Sequence, residues 1–119
     1  MERADSLARQ YLAAWNERNA PERRALVARL FTLDASYLDP MMQGAGHDGI
    51  DALIAAAQKH FPGHRFELAG TPDGHHEVLR FSWTLHAPDG LQVARGLDVA
   101  TVAGDGRLAS VTGFLDHAA

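Results

Sequence analysis

Residues 37–42 (Tyr-Leu-Asp-Pro-Met-Met) place one carboxylate, Asp39, among apolar side chains. Proline disfavours helical backbone at the residue before it, so Asp39 is predicted at the end of a strand. Side chains two residues apart on a strand share a face, which puts Tyr37 beside Asp39. A carboxyl group with so few polar neighbours is suited to act as a general base. From these six residues alone, a surface aspartate that ends a strand before a turn is the favoured interpretation.

A second carboxylate, Asp98, falls on a strand predicted over about 91–103. The other side chains on its face are mostly small: Gln92, Ala94, Gly96 and Ala100. Small side chains around a lone carboxylate leave room for a ligand. If that face looks inward, the outer face is an apolar patch formed by Leu91, Val93, Leu97 and Val99. Such patches usually mark interfaces, so we expect a homodimer through the outer face of the sheet.

Three helices are expected in the first half of the chain. Apolar residues recurring at i, i+4 and i+8 predict an amphipathic helix over about 4–18. Ala20-Pro21-Glu22 opens a second helix with proline in its first turn. The apolar stripe of this helix is Leu26, Val27, Leu30 and Phe31, and the side chains predicted to face water are Glu22, Arg23, Arg24 and Arg29. A strand over 34–39 and a glycine-rich loop lead to a third helix, which begins near Asp48 and ends at 60–63.

The second half is predicted to be an antiparallel meander. Three Pro-Asp-Gly or Gly-Asp-Gly turn signals at 72–74, 88–90 and 104–106 separate four strands, at about 64–71, 75–87, 91–103 and 107–116. In the second of these strands an apolar face should meet the helices: Leu79, Phe81, Trp83 and Leu85. Helices followed mainly by strands indicate an α+β fold with helices on one face of a curved sheet.

Composition narrows the class of protein. The 119 residues are expected to form one domain, 1–119, and their 15 acidic and 11 basic side chains give a net charge of −4. No basic stripe with interleaved aromatics predicts nucleic-acid binding. No apolar run is long enough to span a membrane, and the charged N-terminus lacks the apolar segment of a signal peptide, so a cytoplasmic location is expected.

Cofactor and metal sites are not indicated either. The absence of cysteine excludes disulfides and thiolate metal sites. The seven histidines include no His-x-x-x-His pair, and His75 and His76 would point to opposite faces of a strand, so no metal is expected. The sequence Gly44-Ala45-Gly46 is not followed by Lys-Ser/Thr and therefore does not predict a phosphate-binding loop. No cofactor is predicted.

The order of elements and four short motifs resemble the nuclear transport factor 2-like superfamily, and within it the SnoaL-like group, named for a polyketide cyclase. The motifs are Tyr-Leu-Ala-Ala-Trp-Asn at 11–16, Asp-Pro at 39–40 with Gly-Ile at 49–50, Phe-Pro-Gly-His-Arg-Phe at 61–66, and Gly-Arg-Leu-Ala-Ser-Val at 106–111. The resemblance covers nearly the whole chain. It implies a cone in which three N-terminal helices pack on a strongly curved, mainly antiparallel sheet and an apolar cavity opens at one end.

Ketosteroid isomerases of this superfamily use a tyrosine, a carboxylate base and a protonated carboxylic acid, and three residues here fall at matching places. The resemblance implies Tyr11 as the tyrosine, Asp39 as the base and Asp98 as the acid. Asp39 would remove a proton next to a carbonyl group, while Tyr11 and neutral Asp98 donate to the enolate. SnoaL-like cyclases would use related acid–base chemistry on an aromatic polyketide. The side chains expected to line the cavity and bind the substrate are Trp15, Tyr37, Met41, Phe61, Phe81 and Trp83.

Two functions therefore remain open. One is an enzyme that transfers protons on a steroid-like or polyketide-like carbonyl compound. The other is a module of the same fold that binds a small apolar or aromatic molecule, or dimerises, without catalysis. The epoxide hydrolases that this fold also resembles need an arginine beside two aspartates. That chemistry fits poorly here, because Arg95 and Asp98 lie on opposite faces of their strand.

Overall fold

A computed structural model describes residues 2–116 and confirms the predicted α+β class. The helices are α1 (Glu2–Asn16), α2 (Ala20–Leu30) and α3 (Gly46–His60). The strands are β1 (Phe31–Leu38), β2 (Gln43–Ala45), β3 (Arg65–His75), β4 (Val78–His86), β5 (Gln92–Val102) and β6 (Leu108–Leu115). The three helices pack on one curved, open sheet, as the resemblance implies.

The helix boundaries follow from local chemistry. The apolar stripe of α1 is buried against the sheet and includes Tyr11 and Trp15. The Asn19 side chain begins α2 by accepting a hydrogen bond from the backbone N–H of Glu22 at 3.0 Å. Phe31, predicted within the apolar stripe of α2, instead begins β1, where it is fully buried. The ring is buried in either conformation, so the apolar pattern alone did not show where α2 ends.

The sheet has the strand order β2-β1-β6-β5-β4-β3. Strands β3 to β6 form the predicted antiparallel meander, and β1 joins it in parallel with β6. The turn predicted at 72–74 was wrong, since those residues lie inside β3. A register shift takes up residues 70–72, with Gly70 at φ 70°, and Asp73 and Gly74 then pair with Arg80 and Leu79 of β4. The chain reverses only after His75. A bulge with a left-handed glycine uses the same residue types as a turn, which explains the error.

The predicted glycine-rich loop contains a short strand that was missed. Strand β2 pairs antiparallel with β1, with Tyr37 opposite Gly44 and Leu38 opposite Gln43. Residues 39–42 are thus the turn of a hairpin, closed by the Asp39 N–H, which donates to the Met42 carbonyl at 2.9 Å. Glycine has little strand propensity, so the pattern alone did not indicate β2.

Arg23 was predicted to face water, but only 6% of it is exposed. Its Nε lies 2.8 Å from Asp51 Oδ1, and its Nη1 donates to Gln58 Oε1 at 3.1 Å. Gln58 in turn donates to the backbone carbonyls of Trp15 and Glu17, at 3.0 and 2.8 Å. This buried polar group therefore joins α2, α3 and the end of α1.

The two faces of the meander are as predicted. Leu79, Phe81 and Leu85 of β4 are buried towards the helices. On β5, Asp98 is 3% exposed and Ala100 is fully buried, so the face with small side chains looks inward. Leu91 and Val93 lie on the outside, at 65% and 44% exposure. Within residues 2–116, no helix combines the length and the apolar character needed to cross a membrane.

Candidate active site

A pocket of about 140 Å³ lies between the helices, the β1–β2 hairpin and the inner face of the sheet. Its lining residues are Tyr11, Leu12, Trp15, Tyr37, Asp39, Met41, Met42, Ala57, Phe61, Phe66, Trp83, Leu85, Ala94, Asp98 and Leu115. Within residues 2–116, two carboxyl groups, two phenols and two indoles supply the polar side-chain groups of this lining. The pocket runs from the exposed side chains of Met41 and Phe61 to the buried Asp98.

Asp39 is held by its own hairpin. Tyr37, two residues earlier on β1, donates its hydroxyl to Asp39 Oδ2 at 2.6 Å, as the spacing predicts. Asp39 Oδ1 accepts the backbone N–H groups of Met41 and Met42, at 2.8 and 2.9 Å. Both carboxylate oxygens are therefore engaged, and the carboxylate has one orientation.

Asp98 has different surroundings, because it projects from the middle of β5 into the interior. Burial raises the pKa of Asp98 to about 6. Hydrogen bonding from the Trp83 indole and the Tyr11 hydroxyl opposes that rise in pKa, and the nearby Asp39 carboxylate adds to it. Asp98 therefore changes charge close to neutral pH.

The two carboxyl groups approach each other over Gly113 of β6, which pairs with Asp98 in the sheet. A methyl group on Gly113 would lie 2.8 Å from Asp98 Oδ1 and 3.2 Å from Asp39 Cβ. The Tyr37 hydroxyl would be 3.7 Å from the same point. The missing side chain of Gly113 thus leaves room for the Asp98 carboxylate and for the base of the Asp39 side chain.

Both phenols stay protonated at neutral pH. Burial raises the pKa of Tyr11 well above its ordinary value, and the adjacent Asp98 charge raises it further. Burial also raises the pKa of Tyr37 strongly, together with its hydrogen bond to Asp39. Tyr11 and Tyr37 are therefore hydrogen-bond donors. The Trp15 indole lies close enough to the Tyr11 hydroxyl to lower its pKa, but Trp15 Nε1 makes no hydrogen bond of standard geometry within residues 2–116.

Aromatic rings form the wall opposite the hairpin. The Trp15 ring packs between Tyr37 and Phe66, with ring centroids 5.7 and 5.5 Å away. Phe66 contacts Trp83 at a centroid distance of 5.3 Å. Asn16 fixes this wall by exchanging two hydrogen bonds with the backbone of Phe66, at 2.7 and 2.9 Å. The end of α1 is thereby attached to the start of β3.

The structure brings Tyr11, Asp39 and Asp98 to one pocket, while their catalytic roles stay predictions. Most side chains expected to bind the substrate also line the pocket: Trp15, Tyr37, Met41, Phe61 and Trp83. Phe81 does not line it, because Phe81 lies behind Tyr11 with its ring centroid 5.2 Å from the tyrosine ring. Sequence reasoning missed Phe66 and Gly113. The alternation of β3 could have indicated Phe66, whereas no local signal marks Gly113.

The described residues offer little to a metal ion. Within residues 2–116, no three histidine, aspartate or glutamate side chains are grouped as a metal site requires. The carboxylates of Asp39 and Asp98 are instead surrounded by hydroxyl, indole and backbone N–H donors. Such a group of donors and acceptors is suited to holding and moving protons.

A family model and a solved structure both indicate the same protein family. The SnoaL-like domain family matches residues 8–111. A solved structure of a proposed isomerase of the SnoaL-like family from Agrobacterium tumefaciens is 50% identical, with a TM-score of 0.96 over 98% of this chain and 100% of that one. Comparison with curated proteins gives no match.

More distant structures share the fold alone. A SnoaL-like protein of unknown function from Burkholderia thailandensis has a TM-score of 0.78 at 14% identity, over 98% of each chain. A proposed polyketide cyclase from Sinorhizobium meliloti has a TM-score of 0.71 at 17% identity, over 91% of this chain and 93% of that one.

Proposed function

This chain belongs to the SnoaL-like domain family, and from that premise we propose that it is a proton-transfer enzyme acting on a small, mostly apolar carbonyl compound. The observation that carries the proposal is the meeting of Asp39, Asp98, Tyr11 and Tyr37 in an otherwise apolar pocket. The description of the Agrobacterium tumefaciens relative as a proposed isomerase agrees with it.

The resemblance to the ketosteroid isomerases implies that Asp39 is the base. The surroundings of the two carboxyl groups instead support Asp98 as the group that takes the proton. Asp39 already accepts three hydrogen bonds, and a proton arriving there would weaken them. Asp98 accepts fewer donors, is buried, and has a pKa of about 6. A base is most effective when its pKa lies near the working pH. We therefore assign the proton exchange to Asp98 and a supporting electrostatic role to Asp39.

The reaction step is an enolisation. The C–H bond next to the substrate carbonyl breaks, its proton passes to an Asp98 oxygen, and the electron pair forms an enolate. Once Asp98 is protonated, it no longer holds the Tyr11 hydroxyl, which donates its hydrogen bond to the developing charge on the enolate oxygen. Asp98 then returns the proton to another carbon, which completes an isomerisation without a change of oxidation state.

Exchange of carbonyl-adjacent protons for deuterium tests this proposal. The compounds are 3-cyclohexen-1-one, a 5-ene-3-keto steroid and an aromatic polyketide ester, each followed by proton NMR in D₂O. We expect exchange above the buffer rate with at least one compound. Asp98→Asn should lower that rate by roughly 100-fold or more, the typical contribution of a general base. Asp39→Asn should retain more activity than Asp98→Asn.

Asp73→Asn is the matched control, because this exposed carboxylate pairs with Arg80 outside the pocket. It should leave the exchange rate unchanged. If no compound exchanges above the buffer rate, or if wild type and Asp98→Asn exchange equally fast, the proposal fails. A pocket that binds without turnover would then be the better description.

A further inference from the structure

We propose that the natural ligand of this pocket is an uncharged molecule about the size of one ring, rather than a steroid or a multi-ring polyketide. The inference rests on the proposed function only in assuming that the substrate occupies this pocket. It is carried by the volume of the pocket, the contacts that fix its walls and the charges of its lining.

Volume sets the size. The pocket measures about 140 Å³. An apolar cavity of about 150 Å³ holds one benzene molecule, while pockets for drug-sized ligands span roughly 300–1,000 Å³. The space therefore accommodates one ring with a small substituent. Further rings would extend past Met41, which is 74% exposed, and leave apolar surface in water.

The two aromatic walls of the pocket, formed by Trp83 and by Trp15 with Phe66, are fixed by their packing. Trp83 packs directly on the backbone of Gly96, where an added methyl group would lie 2.8 Å from Trp83 Cε2 and 2.6 Å from the Phe114 carbonyl oxygen. Opposite, the Trp15 ring is enclosed between Tyr37 and Phe66, and Asn16 ties Phe66 to α1. Enlarging the pocket would require several aromatic rings to move together.

Charge sets the polarity of the ligand. Among the described residues 2–116, the lining contains two aspartates and no lysine, arginine or histidine. An anionic ligand would meet like charge in a buried site without a cation to offset it. A cationic ligand would pair with Asp98 and occupy the group that must take the proton. An uncharged ketone or aldehyde avoids both of these effects.

Binding measurements at pH 7 test size and charge separately. Titrations followed through the indole N–H signals of Trp15 and Trp83 would compare acetophenone with α-tetralone and a 5-ene-3-keto steroid. A second set compares acetophenone with benzoate and benzylamine. We expect affinity to fall from one ring to four, and benzoate and benzylamine to bind at least tenfold more weakly than acetophenone. A steroid or charged compound that binds as tightly as acetophenone, or no binding by acetophenone, would overturn the inference.

A pocket variant keeps the test independent of any one compound. Met42→Ala shortens a lining side chain but keeps the backbone N–H that Asp39 accepts. It should shift the affinity ratio towards α-tetralone by at least fivefold, while Val93→Ala on the outer face should leave the ratio unchanged. An unchanged ratio in Met42→Ala would contradict the size limit. Because these readouts need no turnover, the size limit and the proposed enzymatic function can fail separately.

Discussion

Asp39 and Asp98 show how surroundings give one residue type two properties. Asp39 lies in a hairpin turn, where two backbone N–H groups and the Tyr37 hydroxyl engage its oxygens. Asp98 lies in the middle of a strand, under the helices, where burial opposes its charge. Asp39 is therefore a fixed carboxylate with hydrogen bonds to both oxygens. It lies near Asp98, whose ionised form is disfavoured by burial. The ionised form of Asp98 therefore lowers the free energy of unfolding, and this effect can be measured.

Replacing Asp98 with asparagine should stabilise the protein at neutral pH. The folded pKa of Asp98, about 6, lies above its ordinary value of 3.8, so the folded state binds the proton more tightly. Stability from this group is complete below pH 3.8 and is lost as the pH rises through 6. Asp98→Asn should therefore raise the free energy of unfolding by up to about 3 kcal/mol at pH 8 and by little at pH 4. Urea denaturation at both pH values measures the difference. A variant with equal gains at both would contradict the burial of the charge.

Gly113→Ala should lower the rate of proton exchange without unfolding the protein. The added methyl group would press on Asp98 Oδ1 and displace the carboxylate from its position over Asp39. We expect the exchange rate to fall by roughly 10- to 100-fold, in line with the sensitivity of catalysis to displacements of about 1 Å. Gly104→Ala is the control, because its methyl group would meet nothing within 4 Å. Equal exchange rates in the two variants would argue against this role for Gly113.

The contact between Tyr37 and Asp39 could be predicted, because alternation along a strand and the following proline are local properties. The two backbone donors to Asp39 could not, since they exist only once the hairpin closes onto β2. Gly113 carries no local signal for a similar reason. Its importance comes from Asp98 on the neighbouring strand, and strand register joins residues distant in sequence.

The three helices meet at a buried polar group rather than through apolar contacts alone. Arg23 pairs with Asp51 and Gln58, and Gln58 holds the last carbonyls of α1. Trp15 belongs to that last turn of α1 and forms part of the pocket wall. Packing between α2 and α3 is thereby linked to the position of the pocket wall.

Arg23→Met should lower the free energy of unfolding by about 3 kcal/mol, because it leaves the Asp51 charge without its buried partner. Arg24→Met, one residue along the same helix and exposed, is the matched control and should change stability by less than about 0.5 kcal/mol. Guanidinium denaturation of both variants gives the comparison. If the two variants were equally stable, the ion pair would not hold these helices together.

The boundaries of helices and strands could be predicted where the helix-start and turn residues were unambiguous. Ala20-Pro21-Glu22 marked the start of α2, and the turns at 88–90 and 104–106 separated the last three strands. The prediction failed at 72–74, which follow a register shift inside β3, and at β2, whose pairing with β1 outweighs its weak propensity. Arg23 was misplaced because a charged side chain reveals its buried partner only in the packed structure.

The outer face of the sheet carries several exposed apolar side chains, interrupted on β5 by Arg95, which pairs with Asp116. Phe114 is 54% exposed and pairs with Leu97 across strands β6 and β5, next to exposed Val93 and Leu91. Exposed apolar side chains grouped on one face of a sheet often mark an interface. The homodimer predicted from the alternation of β5 therefore remains a proposal, and this face is where we expect it.

Light scattering during size-exclusion chromatography tests the dimer. We expect the wild-type chain to have twice the mass of 12.9 kDa, and Phe114→Glu to elute as a monomer, because an interface that buries a charge without a partner is destabilised. Leu33→Glu, at an exposed position on β1, is the control and should stay dimeric. A monomeric wild type, or a dimeric Phe114→Glu, would exclude this interface.

The fold itself does not determine the reaction, since the same architecture carries many activities. What we propose for this molecule in particular is that Asp98, which lies with Asp39 beside Gly113, is the group that exchanges the proton. The most direct test is the pH dependence of carbonyl-adjacent proton exchange in wild type, Asp98→Asn and Asp39→Asn. With Asp98 as the base, the wild-type rate should rise with pH and level off above a midpoint near 6, and Asp98→Asn should lose both the rate and the midpoint. A rate that falls above pH 6, as expected if neutral Asp98 is a hydrogen-bond donor, or a midpoint that persists in Asp98→Asn, would contradict the assignment.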